Sequence, residues 1–308
     1  MKKMIKFIIV VGLISLIYIY RDNIGYFVYK EFILEDIVVT EFVPNEYYRE
    51  NNYNYVQITN DFEAKNKQHL LNIYYTIVNS GANTFTFKCS EEYEECLNDV
   101  AKLSNDQAVL SNINSFVHPF NGFSSVETQY DNLGKVILSI NKAYTDEEIN
   151  LIKSKVENIV ISNVKITNTD KRAIIKIIHD YVIKTTKYDS NRSDNKIVNY
   201  KSDIAYGPLF EGYGLCGGYT DTMALFLDYY NIPNFKVISE NHIWNAVYLD
   251  GKWYHLDLTW DDPISKSGKD ILEYTFFLID TDNLLNIEKE QHTFNQEVFV
   301  EISQKNRS

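Results

Sequence analysis

A cysteine at the edge of a predicted helix is the strongest candidate nucleophile in this chain. Cys216 ends a glycine-rich stretch and directly precedes a helical pattern that contains Met223 and Phe226. The thiolate is the reactive form of cysteine, and the N-terminus of a helix favours negative charge. Most isolated cysteines are buried structural residues, but Gly214 and Gly217 beside this one would let a substrate backbone approach closely. The pattern therefore predicts a thiol nucleophile at Cys216.

A base for this thiol is predicted by a hairpin further along the chain. The dipeptide Asp250-Gly251 between two alternating segments is a strong signal for a two-residue turn. With that turn, Trp244 faces Asp257, and His242 is a diagonal neighbour of Asp257 on the same face, at about 7–8 Å between Cα atoms. An imidazole oriented by a carboxylate is the base that a thiol nucleophile needs. We therefore expect His242 and Asp257 to complete the site.

Two alternatives remain open from the residues alone. His255 lies on the same face and could pair with Asp257, although a strand histidine is by default a packed side chain. Cys216, His242, His255 and Asp257 could also form a metal site, but zinc ligands usually come in tighter sequence pairs. The remaining histidines have no such neighbours in the sequence: His69, His118, His179 and His292.

The elements that would position these residues form two blocks. In the second block, apolar residues at helical spacing predict a helix over 170–187, and Asn231 and Pro233 end the helix that follows Cys216. The first block mixes helices and strands: helices over 65–78, 90–103 and 145–161, with Ser90 and Thr145 as N-caps, and strands over 84–88 and 135–140.

The N-terminus resembles a membrane anchor. Lys2, Lys3 and Lys6 precede an apolar run over 7–20, which is near the short limit for a bilayer span. Lysines on this side predict a cytoplasmic N-terminus and an extracytoplasmic body. A cleaved signal peptide is the alternative, but no small-residue cleavage site follows. We expect a transmembrane anchor over 1–22 and a stalk or lead-in over 23–61.

Composition narrows the range of partners. The 308 residues carry a net charge of −12, and no basic cluster is present, so nucleic acid is not an expected partner. Of the three cysteines, Cys89 and Cys96 could form a disulfide or could be two buried apolar residues, and an odd cysteine in an exported protein points to a reactive thiol.

At this point a family becomes recognisable. The segments LCGGYTDTMALFLDYYNIP and NHIWNAVYLDGKWYHLDLTWDDP, preceded by KIIHDYVIKTTKYD, resemble the transglutaminase-like superfamily over roughly residues 170–280. The resemblance implies a papain-like core and a Cys-His-Asp triad at Cys216, His242 and Asp257, with His255 outside it. Ile243 and Gly217 depart from the alanine and glutamine that are common at those family positions, which puts substrate choice in doubt.

The resulting prediction is an α+β protein with a transglutaminase-like catalytic domain over 166–308, an N-terminal α/β domain over 62–165 and the N-terminal transmembrane helix. Tyr206, Gly217 and Trp244 are further candidates for oxyanion stabilisation or substrate positioning. The implied chemistry is acyl transfer on protein or peptide amides through a Cys216 thioester, which needs no cofactor.

Resolution of the thioester by an amine would give a protein-glutamine transamidase, whereas resolution by water would give a cysteine peptidase or amidase. A non-catalytic surface binding module is the alternative from another class. The sequence does not specify the oligomeric state.

Overall fold

The structure, a computed structural model, describes residues 15–21, 23, 25, 37–163, 170–263 and 271–303. The chain divides into two units, residues 1–38 and residues 39–308. Most of the predicted anchor over residues 1–22 lies outside the described residues. No helix in the described ranges is long and apolar enough to cross a membrane, so the structure gives the predicted transmembrane helix no support.

The first half of the second unit contains a four-stranded sheet together with several helices. The strands, in spatial order β1-β2-β4-β3, are β1 (Glu63–Ala64), β2 (Thr84–Cys89), β3 (Phe123–Tyr130) and β4 (Lys135–Lys142). The helices are α1 (Lys67–Asn79), α2 (Cys96–Asn105), α3 (Gln107–Ser115) and α4 (Asp146–Asn163). Buried Phe85, Phe87, Val136 and Leu138 alternate with more exposed residues on β2 and β4, because strand side chains point to opposite faces in turn.

A disulfide explains one difference from the predicted elements. Cys89 and Cys96 are bonded to each other, so the chain between them forms a turn. Helix α2 accordingly begins at Cys96, and its N-cap is Glu95. The prediction of a helix from residue 90 with Ser90 as N-cap is therefore wrong.

The second half of the unit is built on a three-stranded antiparallel sheet. Its strands, in spatial order, are β7 (Asn234–Ile238), β8 (Ile243–Leu249) and β9 (Lys252–Leu256). A small parallel pair, β5 (Lys187–Tyr188) and β6 (Tyr213–Gly214), lies apart from it. The helices are α5 (Lys171–Thr185), α6 (Ser190–Asn195), α7 (Cys216–Tyr229), α8 (Thr281–Ile287) and α9 (Val300–Ser303), and a short π-helix spans Gly207–Glu211. The mixture of helices and sheets agrees with the predicted α+β class.

The hairpin has the predicted register. Leu249 pairs with Lys252 and Ala246 pairs with His255. The turn residues Asp250 and Gly251 both have positive φ, 52° and 83°, as a two-residue turn of this kind requires. Both faces of the sheet are buried, because Trp244 and Ala246 join the core of the first half, whereas Val247 and Leu249 pack with α5 and α7.

Residues 39–61 are part of the same unit rather than a separate segment. Tyr53 and Val56 are buried in the core. The Arg49 guanidinium donates to the Asp228 carboxylate at 2.8 Å and to the Asn234 carbonyl at 3.0 Å, which ties this segment to the end of α7. The predicted boundaries at residues 61 and 165 stay predictions.

We expect Arg49→Ala to lower the free energy of unfolding by about 3 kcal/mol, because it removes the cation paired with the partly buried carboxylate of Asp228. Urea unfolding followed by circular dichroism measures this difference. Lys153→Ala is the matched control, since Lys153 pairs with Glu46 on the surface at 3.0 Å and its loss should cost about 0–1 kcal/mol. Equal effects of the two substitutions would contradict this account of the lead-in segment.

Candidate active site

Cys216 is the first residue of α7, and its N-cap Leu215 makes no side-chain cap. The thiol is half-buried and is a free cysteine. The helix is held to the strand that follows His242, because Thr220 donates to the Ile243 carbonyl at 3.0 Å and accepts through its own carbonyl from Asn245 at 3.0 Å. Cys216 therefore has a fixed position relative to the hairpin.

The glycines beside Cys216 have a structural reason that differs from the predicted one. A Cβ at Gly217 would lie 2.7 Å from the carbonyl oxygen of Asp203, and a Cβ at Gly218 would overlap the carbonyl of Ser202. The absence of a side chain at these glycines thus lets the chain's own loop pack closely on the start of α7. The prediction that they give clearance to a substrate is corrected accordingly.

His242 and Asp257 are in direct contact. The Nε2 atom of His242 lies 2.5 Å from Oδ2 of Asp257, and both side chains are buried. The second oxygen, Oδ1, accepts the backbone N–H groups of Thr259 at 2.9 Å and Trp260 at 3.2 Å. The chain turns at the end of β9, which brings these amides back onto the carboxylate. The His242 ring stacks on Trp244, with centroids 5.6 Å apart.

The charges of this pair follow from its surroundings. Burial disfavours a charged His242, but the charge of Asp257 and hydrogen bonds with Asp257 and Cys216 outweigh it and raise the pKa of His242 to about 10. Burial would also raise the pKa of Asp257, yet His242 and His292 hold that pKa below its ordinary value. Because Asp257 occupies Nε2, Nδ1 is the ring nitrogen that remains for Cys216. The arrangement can hold an imidazolium beside a thiolate once the proton of Cys216 has passed to His242, as nucleophilic catalysis by cysteine requires.

His292 is a site residue that the sequence did not reveal. Its Nε2 lies 3.0 Å from Oδ2 of Asp257, and its Nδ1 lies 2.8 Å from Oε2 of Glu288. The expectation that His292 has no catalytic neighbours is therefore wrong. It lies 35 residues after Asp257 and outside the recognisable motifs. The only hint in the sequence was that Glu288 and His292 are four residues apart. That spacing of a carboxylate and a histidine is too common to predict a site.

His255 has a structural role, as expected by default. Its Nδ1 accepts from the Trp244 indole at 2.8 Å, so its Nε2 carries the proton and donates to the Thr281 hydroxyl at 3.0 Å. Thr281 in turn donates to the carbonyl of Ile302 at 2.7 Å. Burial, together with the nearby charge of His292, lowers the pKa of His255 to about 3. This neutral ring links β9 to α8 and α9.

The alternative of a metal site at Cys216, His242, His255 and Asp257 is not supported, because these four residues are not brought together as a ligand set. Within the described part of the chain, the group whose ligand atoms lie within 4.8 Å of one another is His242, Asp257 and His292. Its separations of 2.5 and 3.0 Å are those of hydrogen bonds and are shorter than the spacing between two ligands of a tetrahedral zinc ion, about 3.3 Å. The geometry favours shared protons at this position.

The other predicted positioning residues lie in different places. Trp244 is buried and its indole N–H is used by His255, so it supports the His242 ring and has no donor for an oxyanion. Tyr206 stacks on Phe210 at 4.8 Å, and the structure does not bring it to the cavity at Cys216. Gly217 packs against the loop, as described above.

A cavity of about 340 Å³ opens at Cys216 and His242. Its other lining residues are Tyr188, Asn241, Thr259, Trp260, Asp262, Pro263 and Gln291. Thr259 Oγ1 is buried and has no hydrogen-bond partner among the described residues. A second cavity, of about 490 Å³, is lined in part by Gly217 and Ile243, the two positions that depart from the family pattern.

The His242–Asp257 pair predicts a pH-dependent stability. A histidine is about half-protonated at pH 6.5 in the unfolded chain, whereas folded His242 keeps its proton up to a pKa of about 10. The stabilisation is therefore complete below pH ~6.5 and is lost as the pH rises towards 10. We expect the midpoint of thermal unfolding to fall between pH 7 and 10 more steeply in the native protein than in Asp257→Asn, and equal slopes would contradict the raised pKa.

The family model that matches part of this chain agrees with its motifs. Residues 162–258, which include Cys216, His242 and Asp257, match the family model of the Transglutaminase-like superfamily. No curated protein matches the chain. The solved structures that match include a "Crystal structure of a TGase", with 18% identity and a TM-score of 0.35 over 47% of this chain and 46% of that one. The chain thus spans less than half the length of that structure. Residues 162–258 are thus similar to the transglutaminase-like superfamily, as their motifs predicted.

Proposed function

We propose that this protein is a thiol enzyme that transfers acyl groups from protein or peptide amides through a thioester on Cys216. The observation that carries the proposal is the contact between His242 and Asp257 beside a half-buried free cysteine that lines the same cavity. A non-catalytic binding module would not need a buried imidazole and carboxylate aligned on a thiol. The match of residues 162–258 to the family model supports the same chemistry.

In the proposed reaction, His242 takes the proton of Cys216, and the charge of Asp257 stabilises the imidazolium. The thiolate attacks the amide carbonyl carbon and forms a tetrahedral intermediate. The C–N bond then breaks while His242 gives its proton to the leaving nitrogen, which leaves a Cys216 thioester and ammonia or an amine. An incoming amine or water gives a proton to His242 and bonds to the acyl carbon. The C–S bond then breaks, which releases the acyl product and returns Cys216 as the thiolate beside protonated His242.

The negative oxygen of the intermediate needs hydrogen-bond donors, each of which typically contributes about 2.7–4 kcal/mol. We assign one to the backbone N–H of Cys216, because it lies at a helix start with no side-chain cap. The Thr259 hydroxyl replaces Tyr206 as the second candidate donor, since it lines the cavity and has no partner among the described residues.

We also propose that the enzyme acts outside the cytoplasm, tethered by residues 1–22. The Cys89–Cys96 disulfide supports this location, because structural disulfides persist mainly in oxidising compartments. Labelling of intact cells with a membrane-impermeant maleimide tests it: Cys216 is labelled if it faces the exterior, and labelling only after lysis would contradict the proposal.

The reaction itself is tested with the purified full-length protein, a casein-type glutamine donor and a labelled primary amine. Amine incorporation and ammonia release are followed together, with Cys216→Ala as control. Incorporation that is lost in the variant supports a transamidase. Ammonia or peptide fragments without incorporation would make the enzyme an amidase or peptidase. No signal of either kind, together with an unreactive Cys216, would leave the binding module.

A further inference from the structure

One carboxylate oxygen serves two histidines. Oδ2 of Asp257 lies 2.5 Å from Nε2 of His242 and 3.0 Å from Nε2 of His292. The other oxygen is occupied by two backbone amides. His242 therefore shares the charge of Asp257 with a second ring, and any change in that ring affects the base of the thiol directly.

The partners of His292 specify its charge. Both of its ring nitrogens face carboxylates, Asp257 on one side and Glu288 at 2.8 Å on the other. A carboxylate can only accept, and a neutral imidazole has a single N–H donor. Two donors require the imidazolium, so a fully hydrogen-bonded His292 between two carboxylates is positively charged.

The surroundings of His292 favour this charge and fix its orientation. The ring is fully buried and lies flat against Phe276, with centroids 5.1 Å apart and an angle of 12° between the planes. Trp244 at 4.9 Å and Trp260 at 5.4 Å contact it at steep angles. Aromatic faces attract a nearby cation, and a ring packed in this way cannot turn away from Asp257.

We propose that His292 is a positioning residue of the active site: as an imidazolium held by Glu288, it fixes Asp257 and sets the pH range in which Cys216 and His242 form their ion pair. The proposal rests on the function proposed above. The reacting chain would then run from Cys216 through His242, Asp257 and His292 to Glu288. Glu288 lies partly at the surface, so the chain extends from the buried site towards solvent.

The titratable groups that face this cluster come from several elements. Cys216 belongs to α7, His242 precedes β8, His255 and Asp257 lie on or just after β9, and Glu288 follows α8. His255 is neutral, as its contact with the Trp244 indole requires. Asp261 also acts on Asp257 through its charge, and it is itself paired with His179 at 3.1 Å. His292 is therefore the ring besides His242 that contacts the Asp257 carboxylate directly.

Electrostatics gives the direction in which the titration of Cys216 should move when the charge of His292 is removed. A cation makes it easier for neighbouring groups to lose a proton, so its removal moves their titrations to higher pH. The centroids of His292 and His242 are 5.3 Å apart. Because the lost charge lies this close to His242, the partner of Cys216, the pH midpoint of Cys216 alkylation should rise by about one unit.

The test is the pH dependence of Cys216 alkylation by iodoacetamide, measured on the full-length protein by intact mass. Four proteins are compared: the native chain, His292→Gln, Glu288→Gln and, as a matched control, Glu290→Gln, which removes an exposed carboxylate two residues from Glu288. His292→Gln can keep one hydrogen bond to Asp257 but not the charge. Glu288→Gln leaves the buried core intact and provides the test if His292→Gln fails to fold.

We expect the pH midpoint of Cys216 alkylation to rise by about one unit in His292→Gln and by less in Glu288→Gln. It should not change in Glu290→Gln. A lower alkylation rate without a shift of the midpoint in His292→Gln would show that His292 contributes only packing. A downward shift of the midpoint in Glu288→Gln would show that Glu288 does not keep His292 protonated. Either result would overturn the proposal. Because every accessible thiol can be alkylated, the midpoint is measured even if acyl transfer proves absent, so the two proposals can fail separately.

Discussion

His242→Ala is expected to reduce acyl transfer by on the order of 10³-fold or more, because the thiol loses both its base and the cation that stabilises its thiolate. The loss should appear in kcat, with KM for the amide donor little changed, since His242 acts on the reacting atoms. Initial rates over a range of donor concentrations measure this split.

His69→Ala is the control for this substitution, because His69 contacts Thr59 and Asp61 and lies outside the candidate active site. It should retain native activity. A His242→Ala protein that is folded by circular dichroism and keeps more than about a tenth of the native rate would contradict the assignment of His242 as the base.

Asp257→Asn is expected to lower kcat by about 10³–10⁴-fold while the protein remains folded. The amide removes the negative charge that raises the pKa of His242. In the native protein one oxygen of Asp257 contacts both His242 and His292. In the variant that position holds either an NH₂ group or an uncharged oxygen. The imidazolium form of His242 should then be lost at neutral pH, and rapid alkylation of Cys216 near pH 6 should disappear with it.

Asp180→Asn is the matched control, because Asp180 also contacts a buried histidine, His179, at 3.1 Å but does not line the Cys216 cavity. We expect its kcat to stay within a few-fold of the native value, as for a residue that does not contact the reacting atoms. Similar losses in both variants would mean that Asp257 contributes to the fold rather than to the reaction.

Local chemistry made part of the structure predictable. Asp250-Gly251 specified the turn, and the turn specified the strand register, because the side-chain period of a strand leaves no freedom once one pair is known. The predicted N-cap at Thr145 was also informative: its hydroxyl accepts from the Glu148 N–H at 3.2 Å, and the Glu148 carboxylate accepts from the Thr145 N–H at 2.8 Å. These two contacts form a capping box.

The elements that were missed depend on distant parts of the chain. Strand β7 is a short run, buried except at its last residue, that periodicity does not separate from a loop. The helix expected from residue 90 begins later because of a covalent bond to Cys89, which the local pattern does not contain. The fold of residues 271–303 brings His292 to Asp257, and the sequence around His292 contains no pattern that predicts this contact.

Cys216 is expected to be an activated nucleophile, and its rate of alkylation by iodoacetamide at pH 6 tests this most directly. Of the three cysteines, Cys89 and Cys96 are joined, so the label reports Cys216 alone. An ordinary thiol is only about 0.3% thiolate at this pH. We predict that the folded protein reacts about 10²-fold faster than the same chain in urea with its disulfide intact. A rate equal to or below that of the unfolded chain would contradict the account.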